Sequence, residues 1–178
     1  LETEIQHKNE LIISCENGDK KAQFAIYKQY YKAMFNTAYR IVNDRFEAED
    51  IMQESFLAAF TKLGSFSGNV TFGAWLKRIV INHSLTALKK NKKIDTVSIE
   101  KVTIKNSEEE KEDYSLLSVK EILAQIAKLK PNYKVAITLH LIEGYDYEEI
   151  AEIMDISYEN SRTTVSRAKN KLRQLLAT

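Results

Sequence analysis

The chain is poor in everything that interrupts helices or staples loops together. Its 178 residues include one proline, five glycines, one cysteine and one tryptophan. With so few breakers and an abundance of Leu, Ile, Ala, Lys and Glu, an all-α protein is expected. The lone Cys15 excludes an internal disulfide, and its place at the end of the apolar run Leu-Ile-Ile-Ser-Cys reads as a small buried hydrophobe rather than a reactive thiol. Three scattered histidines, His7, His83 and His140, form no metal-binding spacing, so no metal is expected. His83 and His140 each lie in apolar helical runs and read as satisfied, partly buried side chains. No serine–histidine–acid set and no glycine-rich phosphate loop can be placed, so neither a catalytic residue nor a cofactor is expected. No run approaches the roughly 18 apolar residues that cross a bilayer, no signal peptide is read, and a cytoplasmic protein is the expectation.

Net charge is also scarce, at +1, but the sum conceals a pattern. Residues 19–93 carry thirteen bases against six acids, and residues 94–114 carry three bases against seven acids. Within the last stretch, Ser157–Thr178 has five bases and a single acid, Glu159. Two basic regions flank an acidic one, and local charge of this kind is what a polyanionic partner meets.

The periodicity divides the chain similarly. A short helix is expected over Glu10–Asn17, ended by Gly18, which makes residues 1–18 an N-terminal extension. Asp19 caps a long helix over Lys20–Val42, carrying Phe24, Tyr27, Tyr31, Met34, Phe35, Ala38 and Ile41 at helical spacing. Asn43 breaks it. Asp44 and Glu47 form a capping box for a helix to about Leu63, ended by Gly64. A loop, Ser65–Val70, leads to a helix from Phe72 to about Asn91 with an inward stripe of Trp75, Ile79, Asn82 or His83, and Thr86. These make a first domain over residues 19–92. Residues 93–114 lose periodicity and read as a flexible linker. A second domain, 115–178, resumes with Leu116, Val119, Ile122, Leu123, Ile126 and Leu129, and Pro131 opens a helix that ends at Glu143-Gly144.

The final third contains the most specific pattern. Asp146 with Glu149 makes a capping box, Ile150, Ala151, Ile153 and Met154 a buried stripe, Asp155-Ile156 a turn, and Ser157 the next cap. The helix that follows turns Val165, Ala168, Leu172, Leu175 and Leu176 inward. Glu159, Asn160, Thr163, Ser166, Arg167, Asn170 and Gln174 fall on the opposite face, flanked by Arg162 and Arg173. This is a helix-turn-helix whose outer side chains suit base edges and phosphates of duplex DNA.

Three ordered features carry a family resemblance. They are Glu47-Ala48-Glu49-Asp50 before Ile51, Gln53-Glu54 and Phe56; the pattern Phe72, Trp75-Leu76, Ile79, Asn82; and, in the helix-turn-helix, Glu148-Glu149-Ile150-Ala151-Glu152-Ile153-Met154, Ile156-Ser157, Ser166-Arg167-Ala168-Lys169 and Leu172. In this order the chain resembles the extracytoplasmic-function group of bacterial sigma factors, from about Lys20 to Leu176. The resemblance implies a two-domain promoter-specificity subunit whose partners are RNA polymerase core enzyme and promoter DNA, with an anti-sigma factor as the partner that holds many family members inactive. It implies a polymerase contact through a helix bearing Glu47, Glu49, Asp50, Ile51, Gln53, Glu54 and Phe56, in which the acidic and amide side chains make the polar face and Ile51, Phe56, Leu57 and Phe60 can pack inward. It implies capture of unpaired −10 DNA through Phe66, Ser67, Gly68 and Asn69, with Lys77, Arg78, Asn82, Lys89 and Lys90 on the helix leaving that loop and Lys92 and Lys93 beyond. Trp75 reads as core. A −35 contact is implied for Arg162, Thr163, Ser166 and Arg167, with Lys169, Asn170, Lys171 and Arg173 nearer the phosphates. Glu159-Asn160-Ser161 and Thr164 stand where the family often has Gly-Thr-Val and Arg. The alternative is a stand-alone helix-turn-helix regulator with a sensing or dimerising first module, and a purely helical adaptor is a third class.

Overall fold

The computed structural model describes residues 10–91 and 118–177. Every regular element among them is helical. The expected linker, Leu116, Lys92 and Lys93 lie outside the described residues. The chain divides between Leu88 and Lys89 into two compact units.

The first unit opens with α1 (residues 10–16), ended by Gly18 at φ +82°, where a left-handed turn suits glycine. Cys15 is buried behind it, and burial together with the Asp19 charge pushes its thiol pKa up, as expected of an inert cysteine. Asp19 caps α2 (Lys20–Val42) by accepting the Lys21 N–H at 2.8 Å. Asn43 ends α2 in the left-handed region at φ 57°. Asp44 starts α3 (Arg45–Thr61) by accepting the Glu47 N–H at 2.9 Å. α3 stops at Thr61, two residues before the expected end at Leu63, and a 3₁₀ turn, Leu63–Ser65, carries the chain across Gly64. Thr71 Oγ1 accepts the Ala74 N–H at 3.2 Å and opens α4 (Phe72–Lys90).

Apolar side chains from these helices make the first core: Ile26, Met34 and Ile41 from α2, Ile51, Met52 and Phe56 from α3, and Leu76, Val80, Ile81 and Leu88 from α4. One polar link crosses it. Ser55 donates to the Ile51 carbonyl at 2.6 Å, so its hydroxyl proton is used, and His83 Nδ1–H donates to Ser55 Oγ at 3.1 Å. His83 is therefore the satisfied histidine the sequence implies. Gly73 lies against the Tyr30 ring so closely that an added Cβ would come within 2.9 Å of it.

The inward stripe of α4 differs from the sequence expectation. Phe72, Leu76, Val80, Ser84 and Leu88 are buried, whereas Trp75 and Ile79 are half-buried and Asn82 and Thr86 are exposed. Both sets step by three or four residues, so spacing alone allows either; the larger total of aliphatic surface decides which one faces the core.

In the second unit, Ser118 and Glu121 form a capping box on α5 (Val119–Ala127), with Glu121 N–H to Ser118 Oγ at 3.2 Å and Ser118 N–H to Glu121 Oε2 at 2.7 Å. Those donors hold the Glu121 carboxyl below the usual carboxylate range. Val119, read as the start of the buried stripe, is 74% exposed; packing begins one turn later at Ile122 and Leu123. Pro131 occupies the first turn of α6 (Pro131–Ile137). A π-helical turn, Thr138–Ile142, follows and was not visible as a departure from ordinary helix spacing. It ends before Gly144, at φ +82°. Asp146 and Glu149 make the reciprocal cap of α7 (Tyr147–Met154), Asp155 turns at φ 56°, and Ser157 Oγ accepts the Asn160 N–H at 3.2 Å to start α8 (Tyr158–Leu176). Val165, Ala168 and Leu172 of α8 are buried, and Ala168 and Leu172 pack with Ile126, Leu129 and Ile137. Ser161, also buried, donates from Oγ to the Tyr147 carbonyl at 2.8 Å and so fastens α8 to the first turn of α7.

Candidate functional site

The outer face of α8 is set by which side is buried. Rotation by about 100° per residue puts Glu159, Thr163, Ser166 and Asn170 opposite Val165, Ala168 and Leu172, with Arg162 on one flank and Arg167 on the other. Arg162, Ser166, Asn170, Lys171 and Arg173 are exposed; Thr163 and Arg167 are half-buried. Arg173 donates to Asn170 Oδ1 at 2.9 Å, which pre-orders both side chains along the face. The Arg162 guanidinium lies over the exposed Tyr158 ring, 5.9 Å from its centroid. Tyr158 is a residue the sequence reading omitted. The signal was available, because an aromatic four residues before an arginine on a helix lies beside it.

Lys169 does not follow the expected pattern. Its ammonium donates to His140 Nε2 at 3.2 Å, while His140 Nδ1–H donates to the Tyr145 carbonyl at 3.0 Å and the imidazole stacks on Tyr147 at 5.0 Å. The π-helical turn places His140 there, so Lys169 braces α8 against its own unit instead of reaching outward.

In the first unit, the loop expected to hold unpaired bases is anchored at both ends. Phe66 packs edge-on to Phe72 at 5.8 Å and tilted against Trp75 at 5.3 Å, and Phe72 and Trp75 are 5.7 Å apart. Between Phe66 and the Thr71 cap, Ser67, Gly68, Asn69 and Val70 are exposed, with Gly68 at φ +75°. Trp75 is therefore not interior. On α4 it shares the outward face with Arg78, Asn82, Thr86 and Lys89, at steps of three and four residues. Lys90 lies on a flank of that face, whereas Lys77 falls on the side of Val80, Ser84 and Leu88 and is half-buried. Of the residues read as an inward stripe, Trp75, Asn82 and Thr86 are instead on the solvent side, continuous with the loop.

The acidic helix needs a correction of the same kind. Ile51 and Phe56, expected to touch a partner, are core residues. Leu57, expected inside, is 68% exposed, and Phe60 is half-buried against Phe56. The solvent face of α3 runs Phe46, Glu49, Asp50, Gln53, Glu54, Leu57, with Phe46 80% exposed at one end and Leu57 at the other. The missed residue is Phe46. It lies in the first turn, two residues after the N-cap Asp44, where an apolar residue reads as ordinary helix content.

Among the described residues no group of histidine, cysteine and carboxylate side chains could hold a metal ion, and no helix is long and apolar enough to cross a membrane.

Comparison with known proteins joins these faces to one lineage. Sigma-70 region 2 matches residues 26–94, and Sigma-70, region 4 matches residues 120–172. The ECF RNA polymerase sigma-E factor of Haemophilus influenzae is 32% identical, covering 93% of this chain and 95% of that protein. The RNA polymerase sigma-H factor of Pseudomonas aeruginosa is 29% identical, covering 96% and 94%. In structure, the sigma factor RpoE of Bartonella quintana, solved in complex with the anti-sigma factor NepR, superposes with a TM-score of 0.60 at 26% identity, covering 86% of this chain and 96% of that one. The two families of outward face and the matched regions have one origin: the chain belongs to the extracytoplasmic-function sigma factors of the sigma-70 family, the RNA polymerase subunits that direct promoter-specific initiation.

Proposed function

We propose a division of labour among the three faces. The outer face of α3 docks on core polymerase, α8 reads the −35 duplex in the major groove, and the loop 66–69 with the outer face of α4 captures the unpaired non-template strand of the −10 element. Residues 19–92 and 115–178 then act as separate modules, joined through 93–114. Two weak contacts on one tether combine through effective concentration, which suits a chain of net charge +1. The protein performs no bond chemistry of its own, works in the cytoplasm beside polymerase, and is open to masking by an anti-sigma protein, as the Bartonella relative is bound by NepR.

The observation that carries the reading is the α3 face. Exposed Phe46 and Leu57 bracket four polar residues, two of them glutamates and one an aspartate. Apolar anchors with a charged centre are a protein-docking surface, and the acidic character selects a basic helical partner. Assignment of roles within α8 rests on exposure: Arg162, Arg167, Thr163 and Ser166 present groups that reach base edges, and Asn170, Lys171 and Arg173 groups that reach phosphates. Lys169 is withdrawn from that set.

The test is transcription reconstituted with core polymerase on genomic fragments, with start sites mapped. Promoter-selective initiation is expected from the parent, and loss of core association from Phe46→Ala with Leu57→Ala at unchanged melting temperature. A pure protein that neither joins core polymerase nor changes where synthesis begins ends this reading.

A further inference from the structure

Helix α2 carries a surface that none of these roles uses. Its 23 residues contain five bases, six aromatic rings and no acid. With Ile26, Met34, Ala38 and Ile41 turned inward, the opposite side presents Lys21, Phe24, Lys28, Lys32, Phe35 and Tyr39 in one line, at steps of three and four residues. Phe24 is 62% exposed and Tyr39 is 42% exposed. Lys28 sits over the Phe24 ring at 5.7 Å and Lys32 over the Tyr31 ring at 5.9 Å, while Phe35 and Tyr39 are stacked nearly parallel, 6.0 Å apart with planes 5° from one another.

A solvated helix face has no use for exposed phenyl rings, and a surface that only repels other cations needs no rings either. Lysine alternating with flat aromatic faces matches one class of partner. The ammonium groups meet phosphates while the rings accept unstacked bases, whichever base is offered. Duplex DNA satisfies only half of this, because its bases are already stacked inside. We propose that the outer face of α2 is a track for single-stranded nucleic acid, distinct from the loop 66–69 and α4 face and tolerant of sequence. The proposal does not depend on the polymerase-docking or −35 assignments, since it rests on α2 alone.

The test uses the full chain and a fluorescein-labelled oligothymidylate of about 15 nucleotides, more than enough to span a face of this length. Fluorescence anisotropy at low salt measures binding, and a 4-thiothymidine version is photo-crosslinked and mapped by peptide mass. Binding to the parent is expected, with crosslinks in residues 20–40. Lys28→Glu with Lys32→Glu should weaken it by more than about tenfold, and Phe24→Ala by about fivefold or more, at unchanged melting temperature. Trp75→Ala should leave the α2 crosslinks in place. Four outcomes overturn the proposal: no binding by the parent, parental affinity in the α2 variants, crosslinks confined to the loop and α4, or equal competition by duplex of the same length. Equal competition by polyglutamate also overturns it, and would assign the face to an acidic protein instead.

Discussion

The two candidate promoter surfaces are made from different side chains. Along α8 the outer face offers Arg162, Ser166, Asn170 and Arg173, slim or planar groups rich in hydrogen-bond donors, and its one exposed ring, Tyr158, lies under an arginine. Around the loop 66–69 the face is built on Phe66, Phe72 and Trp75, three rings within 6 Å of one another, with Ser67 and Asn69 exposed in the loop and cationic donors beyond the rings on α4. On the proposed assignment, the contrast follows from what each surface would meet. A groove of intact duplex presents edges, which are read by hydrogen bonds; a displaced base presents a face, which is held by rings. The chain would then carry both kinds of recognition, one per compact unit.

The largest effect should come from α8. Arg162→Ala with Arg167→Ala removes two contacts worth about 1–3 kcal/mol each, so initiation at a promoter with a −35 element should drop roughly a hundredfold. On a template lacking that element the pair should cost little; an equal loss on both templates would show that the arginines act elsewhere. Trp75→Ala sharpens the contrast from the other side. It should lower initiation about tenfold and keep that defect on a template already unpaired at −10, because a stacking platform is lost. A defect that disappears with the −35 element would merge the two surfaces. Gly68→Ala forces a side chain into a left-handed turn at a cost of about 1–2 kcal/mol, with open space around the new methyl. Capture of unpaired −10 DNA should weaken several-fold, and the melting temperature of the first unit should fall by several degrees. Tyr158→Ala releases Arg162 and should weaken −35 binding by about 0.5–1 kcal/mol, whereas Tyr158→Phe should behave as the parent. The smallest effect concerns Lys169. Its removal should change the salt dependence of duplex binding by less than one phosphate contact, against about one for Lys171→Ala.

Much of this was legible before the structure. Caps mark helix starts by a local hydrogen bond, so Asp19, Asp44, Asp146 and Ser157 disclose their roles within four residues of sequence. The helix-turn-helix could be read to the residue because its turn, its caps and its apolar stripe agree. What failed was the sidedness of helices with apolar residues all round. On α4 the steps of Trp75, Ile79 and Asn82 are as regular as those of Phe72, Leu76 and Val80, and only packing against α2 and α3 breaks the tie. On α3 the inward reading holds for Ile51 and Phe56, but the same ambiguity sent Leu57 inward. Contacts made through distant sequence, such as Lys169 to His140, leave no local trace, and a π-helical turn leaves very little.

Residue 73 ties the aromatic loop to the long basic helix. With hydrogen as its side chain, it lets Tyr30 lie flat on the first turn of α4, where the tyrosine also meets Phe72 at 5.6 Å. A methyl there would meet that ring at 2.9 Å, so either the ring or the turn must give way. On the proposed assignment of the loop and Trp75, Gly73→Ala is expected to weaken −10 capture while leaving −35 recognition whole.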